Sequence, residues 1–277
     1  MLVQAIRSLV FYLYFFVHTA ILAIIVTISA MITRGQRSNF AWGIGLYWGA
    51  ANLFVLRWIV GIRTRVEGVE NIPEGGCIIA AKHMSDWDIY AILPHTKRPA
   101  FIAKKELIAI PFFGPAAKSL DTISIDRSRK GDAITGMTDD ARLAIKKGCR
   151  IIIFPEGTRK PPLADPDYRF GTARLYAALN VPVVPVALNS GLFWPRRSLI
   201  LWPGTATARF LPAIEPGLRA EEFHKTLSAR LERETNALIL EAARKGLTRP
   251  IPPEMRARLD ALEREADAGE SSGADTD

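Results

Sequence analysis

Residues Leu9–Ile32 form a run of 24 residues with no acid, lysine or arginine. A helix of that length is about 36 Å long, enough to cross a bilayer core of about 30 Å. A secretory signal has a shorter apolar core and then a small-residue cleavage site, whereas here more apolar sequence follows. The run is read as a membrane anchor. A second apolar stretch, Phe40–Ile62, holds Trp42, Trp48 and Trp58 together with Asn52 and Arg57. Tryptophans and an arginine near one end suit a helix at the lipid–water boundary, and the length also allows a second span. Arg7 precedes the first run, Arg34 and Arg37 separate the two, and Arg63 and Arg65 follow, so charge does not orient them.

From about Arg65 the texture changes. Short apolar runs, Gly76–Ala81, Ala100–Lys104, Thr122–Asp126, Arg150–Phe154 and Val181–Leu188, read as strands, and Thr205–Leu211 adds another. Asp86–Leu93, Asp132–Lys147, Gly171–Ala178 and Ala220–Lys245 read as helices. The alternation predicts an α/β domain with a mostly parallel, buried sheet flanked by helices. The expected organisation is membrane-anchoring helices over 1–64, a soluble domain over 65–249, and a charged tail over 250–277. That tail is expected to form at most a short surface helix before turning disordered.

The net charge is +8, and residues 260–277 alone hold seven acids against one arginine. The rest of the chain is therefore strongly basic, which suits phosphates or an anionic membrane. Cys77 and Cys149 each begin an apolar run, which predicts core thiols in a reducing compartment. His18, His83, His95 and His224 show no ligand spacing, so no metal site is expected.

Two segments carry chemistry. Lys82-His83-Met84-Ser85-Asp86-Trp87-Asp88 follows a strand, and Ser85 or Asp86 can cap the helix after it. Residues five apart in one helix point about 140° apart. His83 and Asp88 therefore meet only if His83 lies in the loop and Asp88 in the first helical turn. Asp88 then holds the Nδ1 proton, and Nε2 is free to take a proton from a hydroxyl. Phe154-Pro155-Glu156-Gly157-Thr158-Arg159 also follows a strand. Gly157 permits a sharp turn with exposed backbone N–H groups, and Arg159 offers a planar fork for phosphate. Glu156 either orients that arginine or contacts a substrate hydroxyl. Ile123-Ser124-Ile125-Asp126-Arg127 ends in a second phosphate candidate, Arg127. Val181-Pro182-Val183-Val184-Pro185-Val186 is a proline-broken strand suited to an edge or pocket wall.

In order and spacing these blocks resemble those of the lysophosphatidic acid acyltransferases, within the glycerolipid acyltransferases. The resemblance covers roughly residues 60–215, and the segment from Ala103 to Gly114 adds to it. Lys82 stands where many members have asparagine, and Asp121 stands near a frequent glycine. The resemblance implies the glycerol-3-phosphate acyltransferase-like α/β fold behind a two-helix membrane motif. It implies His83 as the base and Asp88 as its orienter. It implies Arg127 and Arg159 on the phosphate of lysophosphatidic acid, with Glu156, Gly157 and Thr158 shaping that pocket. It implies Lys104 or backbone amides at the oxyanion. It implies acyl-CoA or acyl carrier protein as the acyl donor, and no cofactor, metal or nucleic acid is expected. The catalytic domain is expected on the cytosolic side of the inner membrane.

Rival readings differ at named residues. A same-family enzyme acting on another lysolipid, such as lyso-ornithine lipid, needs no phosphate arginines. A serine hydrolase needs a Gly-x-Ser-x-Gly at a strand-to-helix turn, and the one match, Gly269–Gly273, lies in the charged tail with no predicted strand before it. A nucleotide-binding loop at Gly131…Gly136 has Met137 in place of the required lysine. A non-catalytic membrane-binding module gives His83 and Asp88 no role.

Overall fold

Two apolar runs, Cys77–Ala81 and Val183–Leu188, are buried at every position, the mark of strands covered on both faces. They lie side by side at the centre of the sheet. The computed structural model describes residues 1–33, 39–109, 114, 117, 120–125 and 132–273. In chain order the elements begin with α1 (Leu2–Ile32), α2 (Asn39–Val55), β1 (Ile62–Glu67), β2 (Cys77–Ala81) and α3 (Trp87–Ile92). Next come β3 (Pro99–Lys104), α4 (Lys105–Ile108), β4 (Ile123–Ile125), α5 (Asp132–Lys146) and β5 (Arg150–Ile153). The last are α6 (Gly171–Leu179), β6 (Val183–Leu188), β7 (Gly204–Phe210), α7 (Ala220–Arg244) and α8 (Pro253–Gly273).

The strands form one seven-stranded sheet in the order β1-β7-β6-β2-β5-β3-β4. Every pairing is parallel except β6 with β7. Alternate residues of β2 feed two cores. Ile78 and Ala80 pack with Phe223, Leu227 and Leu231 of α7. Ile79 and Ala81 pack with Trp87, Tyr90 and Phe11 on the other face. Each buried leucine or phenylalanine contributes about 1.5–3 kcal/mol. Cys77 and Cys149 are both buried free thiols, and burial pushes the Cys77 thiol up to about 11.

β1 crosses the expected 64/65 boundary and is a strand that the apolar-run reading missed. Its Arg63 and Arg65 are exposed, and such charges mark a solvated edge strand better than a core one. The chain enters β1 at Gly61, whose φ of +91° and closeness to Pro203 exclude a side chain.

The tail, expected to form a short surface helix before disorder, is helical over the 21 residues of α8. Met255 and Leu259 bury against the core, and Arg258 pairs with Asp165. Two buried apolar anchors dock a segment that is otherwise rich in charge.

α1 and the segment Phe40–Val60 are each long and apolar enough to cross a membrane. Yet α1 is held along its length. Near its start, Gln4 Nε2 donates to Val60 O and Leu201 O at 3.1 and 2.7 Å. In its middle, Phe11 meets Trp194 edge-on at 5.4 Å, and Thr19 accepts from Trp48 Nε1 at 2.9 Å. Near its end, Val26 packs with Ala41, Ile44 and Leu120. The opposite face exposes Ile6, Leu9, Leu13, Phe16, Ile24 and Ile28, a stripe at helical spacing.

Candidate active site

Three neighbouring strands build the site from their carboxyl ends. β5 and β6 flank β2 in parallel, with Ala80 opposite Ile153 and Ala81 opposite Val186. The segments that follow, Lys82–Asp88, Phe154–Arg159 and Asn189–Ser190, therefore emerge side by side. This is where open parallel sheets place their sites.

His83 lies in the loop and Asp88 in the first turn of α3, as the spacing requires. His83 Nδ1 is 3.0 Å from Asp88 Oδ2. Asp88 is fully buried and also accepts from the backbone N–H groups of Met84 and Ser85 at 2.7 and 3.0 Å. Its second oxygen accepts from the hydroxyls of Ser85 and Ser190. Beside that carboxylate the proton sits on Nδ1, and Nε2 has no hydrogen bond within the protein among the described residues. The ring stacks on Phe154 with centroids 4.0 Å apart.

Ser190 was not singled out in the sequence. It follows a strand whose apolar run ends at Leu188, and only the strand order brings it to Asp88. A small polar pair at a strand end, Asn189-Ser190, was the available signal.

Arg159 is half-exposed, and its Nη1 bonds Asp86 Oδ2 at 2.8 Å. Asp86 occupies the cap position of α3 but makes no side-chain cap. Asp88 takes the neighbouring loop amides instead. Glu156 is directed at Lys82, and Arg159 at Asp86. Glu156 is 1% exposed, bonds Lys82 Nζ at 2.9 Å, and accepts the His83 backbone N–H at 3.3 Å. Burial raises its carboxyl above the ordinary glutamate range, and Lys82 pulls it back.

Gly157 adopts φ +66°, the left-handed turn its residue type permits, and Thr158 is half-buried beside it. Lys104 ends β3, two strands away from β2, and its side chain lies outside the described residues, as does Arg127 entirely.

A cleft of about 550 Å³ opens onto His83's loop. Asp86 and Arg159 form its polar end. Leu9, Tyr12 and Phe16 of α1, with Trp194, form its apolar wall. One cleft thus offers three arginines (Arg159, Arg196 and Arg197), a base nearby and a greasy flank contiguous with the exposed stripe of α1.

A protein-family profile described as Acyltransferase matches residues 63–189, which contain the first two loops and reach Asn189 of the third. The 1-acyl-sn-glycerol-3-phosphate acyltransferase of Pseudomonas aeruginosa is 32% identical over 240 residues, 86% of this chain and 91% of that protein. This chain belongs to the 1-acyl-sn-glycerol-3-phosphate acyltransferase family. The family extends to the human alpha enzyme of that name, 30% identical over 167 residues and 58% of each chain. The crystal structure of the 1-acyl-sn-glycerophosphate (LPA) acyltransferase PlsC from Thermotoga maritima superposes with a TM-score of 0.69 at 25% identity. That match covers 85% of this chain and 97% of the other. As a member of this acyltransferase family the chain is an enzyme of O-acyl transfer.

Proposed function

We propose that this enzyme transfers an acyl group from acyl-CoA or acyl carrier protein to the sn-2 hydroxyl of 1-acyl-sn-glycerol-3-phosphate, giving phosphatidic acid. His83 is its general base. The observation that carries this reading is the 3.0 Å contact of His83 Nδ1 with a buried Asp88, which leaves Nε2 without a protein partner among the described residues. The names of the relatives support the acceptor.

Nε2 takes the proton of the substrate hydroxyl as its oxygen attacks the thioester carbonyl. Asp88 stabilises the imidazolium that forms. The C–S bond breaks, and the thiolate leaves with the proton from Nε2. No covalent acyl-enzyme and no cofactor are required. Arg159 and Arg127 bind the phosphate, with Gly157 and Thr158 shaping the turn beside it. Lys104 or backbone amides meet the oxyanion.

The lysolipid chain lies along Leu9, Tyr12 and Phe16. α1 then lies in the membrane interface rather than across it, because its start is bonded to the soluble domain through Gln4 and its end joins a cluster with α2 and Leu120, while its far face is apolar. The catalytic domain stands on the cytosolic side, where the thioester donors are.

The test is acyl transfer from labelled acyl-CoA and acyl carrier protein to 1-acyl-sn-glycerol-3-phosphate in detergent. Wild type should yield phosphatidic acid and His83→Ala none. A folded wild type that is inactive with both donors, but active on lyso-ornithine lipid, overturns the acceptor assignment.

A further inference from the structure

Behind the catalytic loop lies a buried ionic network to which the mechanism gives no part. Lys82 Nζ bonds Glu156 Oε1 at 2.9 Å and also reaches Glu232 Oε1 of α7. The Tyr168 hydroxyl donates to the same Glu232 oxygen at 2.6 Å, and Lys82 Nζ lies 5.0 Å from the centre of its ring. Lys82 is 4% exposed and Glu232 21%. One cation therefore serves two carboxylates and an aromatic face, drawn from three separate stretches of chain.

Stability alone is a poor reason for this arrangement. Withdrawing charges from water is costly, and well-packed apolar side chains of similar volume often stabilise a fold as well. What the network does specifically is fix one carboxylate. With its first oxygen held by Lys82, Glu156 turns the second onto the His83 backbone N–H. On the other side of that residue, His83 O accepts the N–H of Lys160 at 2.8 Å. The backbone of His83 is thus clamped on both sides by the segment that carries Arg159. Asp88 fixes the direction of the ring, and this clamp fixes where the ring starts.

We propose that Lys82, Glu232 and Tyr168 are positioning residues for acyl transfer: they lock Glu156 against the His83 backbone and so set the imidazole relative to the acceptor hydroxyl. Their action passes entirely through Glu156 and the loop, and none of them touches substrate. The inference rests on the reading of His83 as the base. It also makes α7, distant in sequence, a part of the catalytic support. Lys82 then has a reason to be where it is: its long stem carries the charge to both carboxylates at once.

The experiment compares wild type with Glu232→Gln, Tyr168→Phe, Lys82→Met, Lys82→Arg and His83→Ala, by steady-state kinetics in both substrates and by thermal unfolding. Glu232→Gln keeps the shape, is partly exposed, and is expected to fold. A loosened base acts in the transition state and leaves ground-state binding alone, so kcat should fall about 5–10-fold in Glu232→Gln with both KM values within about twofold. Tyr168→Phe should move in the same direction. Lys82→Met should lose about 100-fold or more in kcat, and Lys82→Arg, which keeps the charge, should recover at least about tenfold of that. If Lys82→Met does not fold, Glu232→Gln and Tyr168→Phe decide. Wild-type kcat in both of these with only a lowered Tm overturns the proposal, as does a loss confined to KM. An active His83→Ala overturns the base assignment beneath it, and that result is distinguishable from an inactive His83→Ala beside an unaffected Glu232→Gln.

Discussion

Arg159 is paired with Asp86 and not with Glu156: its Nη1 stands 2.8 Å from Asp86 Oδ2, with both side chains about two-fifths exposed. An ion pair in that setting is worth about 0–1 kcal/mol, less than a guanidinium gains on a phosphate. Phosphate can therefore displace Asp86, whose carboxylate meanwhile competes for the same cation. Asp86→Asn should lower KM for the lysolipid about 2–5-fold with kcat unchanged, and Arg159→Ala should raise it about 10–100-fold. Initial rates across lysolipid concentration check both. A raised KM in Asp86→Asn would mean that the carboxylate pre-orders the arginine instead.

Asp88 meets His83 through one oxygen and Ser190 through the other. Asp88→Asn keeps the volume but can present an N–H to Nδ1, which favours the wrong tautomer. A loss of about 10³–10⁴ in kcat is expected. Ser190→Ala leaves the Met84, Ser85 and His83 contacts in place. Losing one hydrogen bond to a carboxylate, about 1.5–3 kcal/mol, is shared between stability and orientation, so kcat should fall only about 3–10-fold. Single-turnover rates separate these effects from product release.

Glu156 gives the stability a pH dependence of defined sign. Its carboxyl is raised in the folded state by burial, so the folded chain holds that proton more tightly than the unfolded one. Its contribution is greatest at acid pH and declines as pH rises from about 4, the ordinary glutamate range, through the raised folded value. Glu156→Gln lacks this titration. The Tm difference between variant and wild type should therefore move in the variant's favour across that window, whatever its starting offset. Unfolding scans from about pH 4 to pH 8 measure the slope, and a flat or opposite trend contradicts it.

How much of this was legible in the sequence depends on how far each contact reaches. His83 with Asp88 was readable because strand, loop and first helical turn are local, and five residues of spacing decide whether they can meet. The direction of Glu156 was not. The residue is in a recognisable block, but its partner Lys82 is 74 residues away, and Glu232 is 150 residues from Lys82. Ser190 depended on β6 lying beside β2, which is a fact of strand order. The mostly parallel sheet followed from its apolar runs, whereas β1 hid behind Arg63 and Arg65. α8 hid because only Met255 and Leu259 mark its docked face.

The last prediction concerns α1. At about 46 Å it exceeds the bilayer core of about 30 Å, so length alone suggests a span. The contacts argue otherwise. Gln4 is tied to Leu201 and Val60, so the start of the helix rests on the soluble domain, and Val26 packs with Ala41 of α2 in a cluster that Leu120 of that domain also joins. A helix across the bilayer separates its ends by the membrane; a helix in the interface does not. In vesicles, Leu2→Cys and Met31→Cys should therefore react with a membrane-impermeant maleimide from the same side. Leu13→Gln with Phe16→Gln removes two exposed apolar side chains from the stripe, each worth about 1.5–3 kcal/mol when buried in lipid. The pair should weaken sedimentation with vesicles by about 100-fold in partition coefficient while leaving Tm unchanged, since neither residue belongs to the core. Labelling of the two cysteines from opposite sides would overturn the in-plane placement.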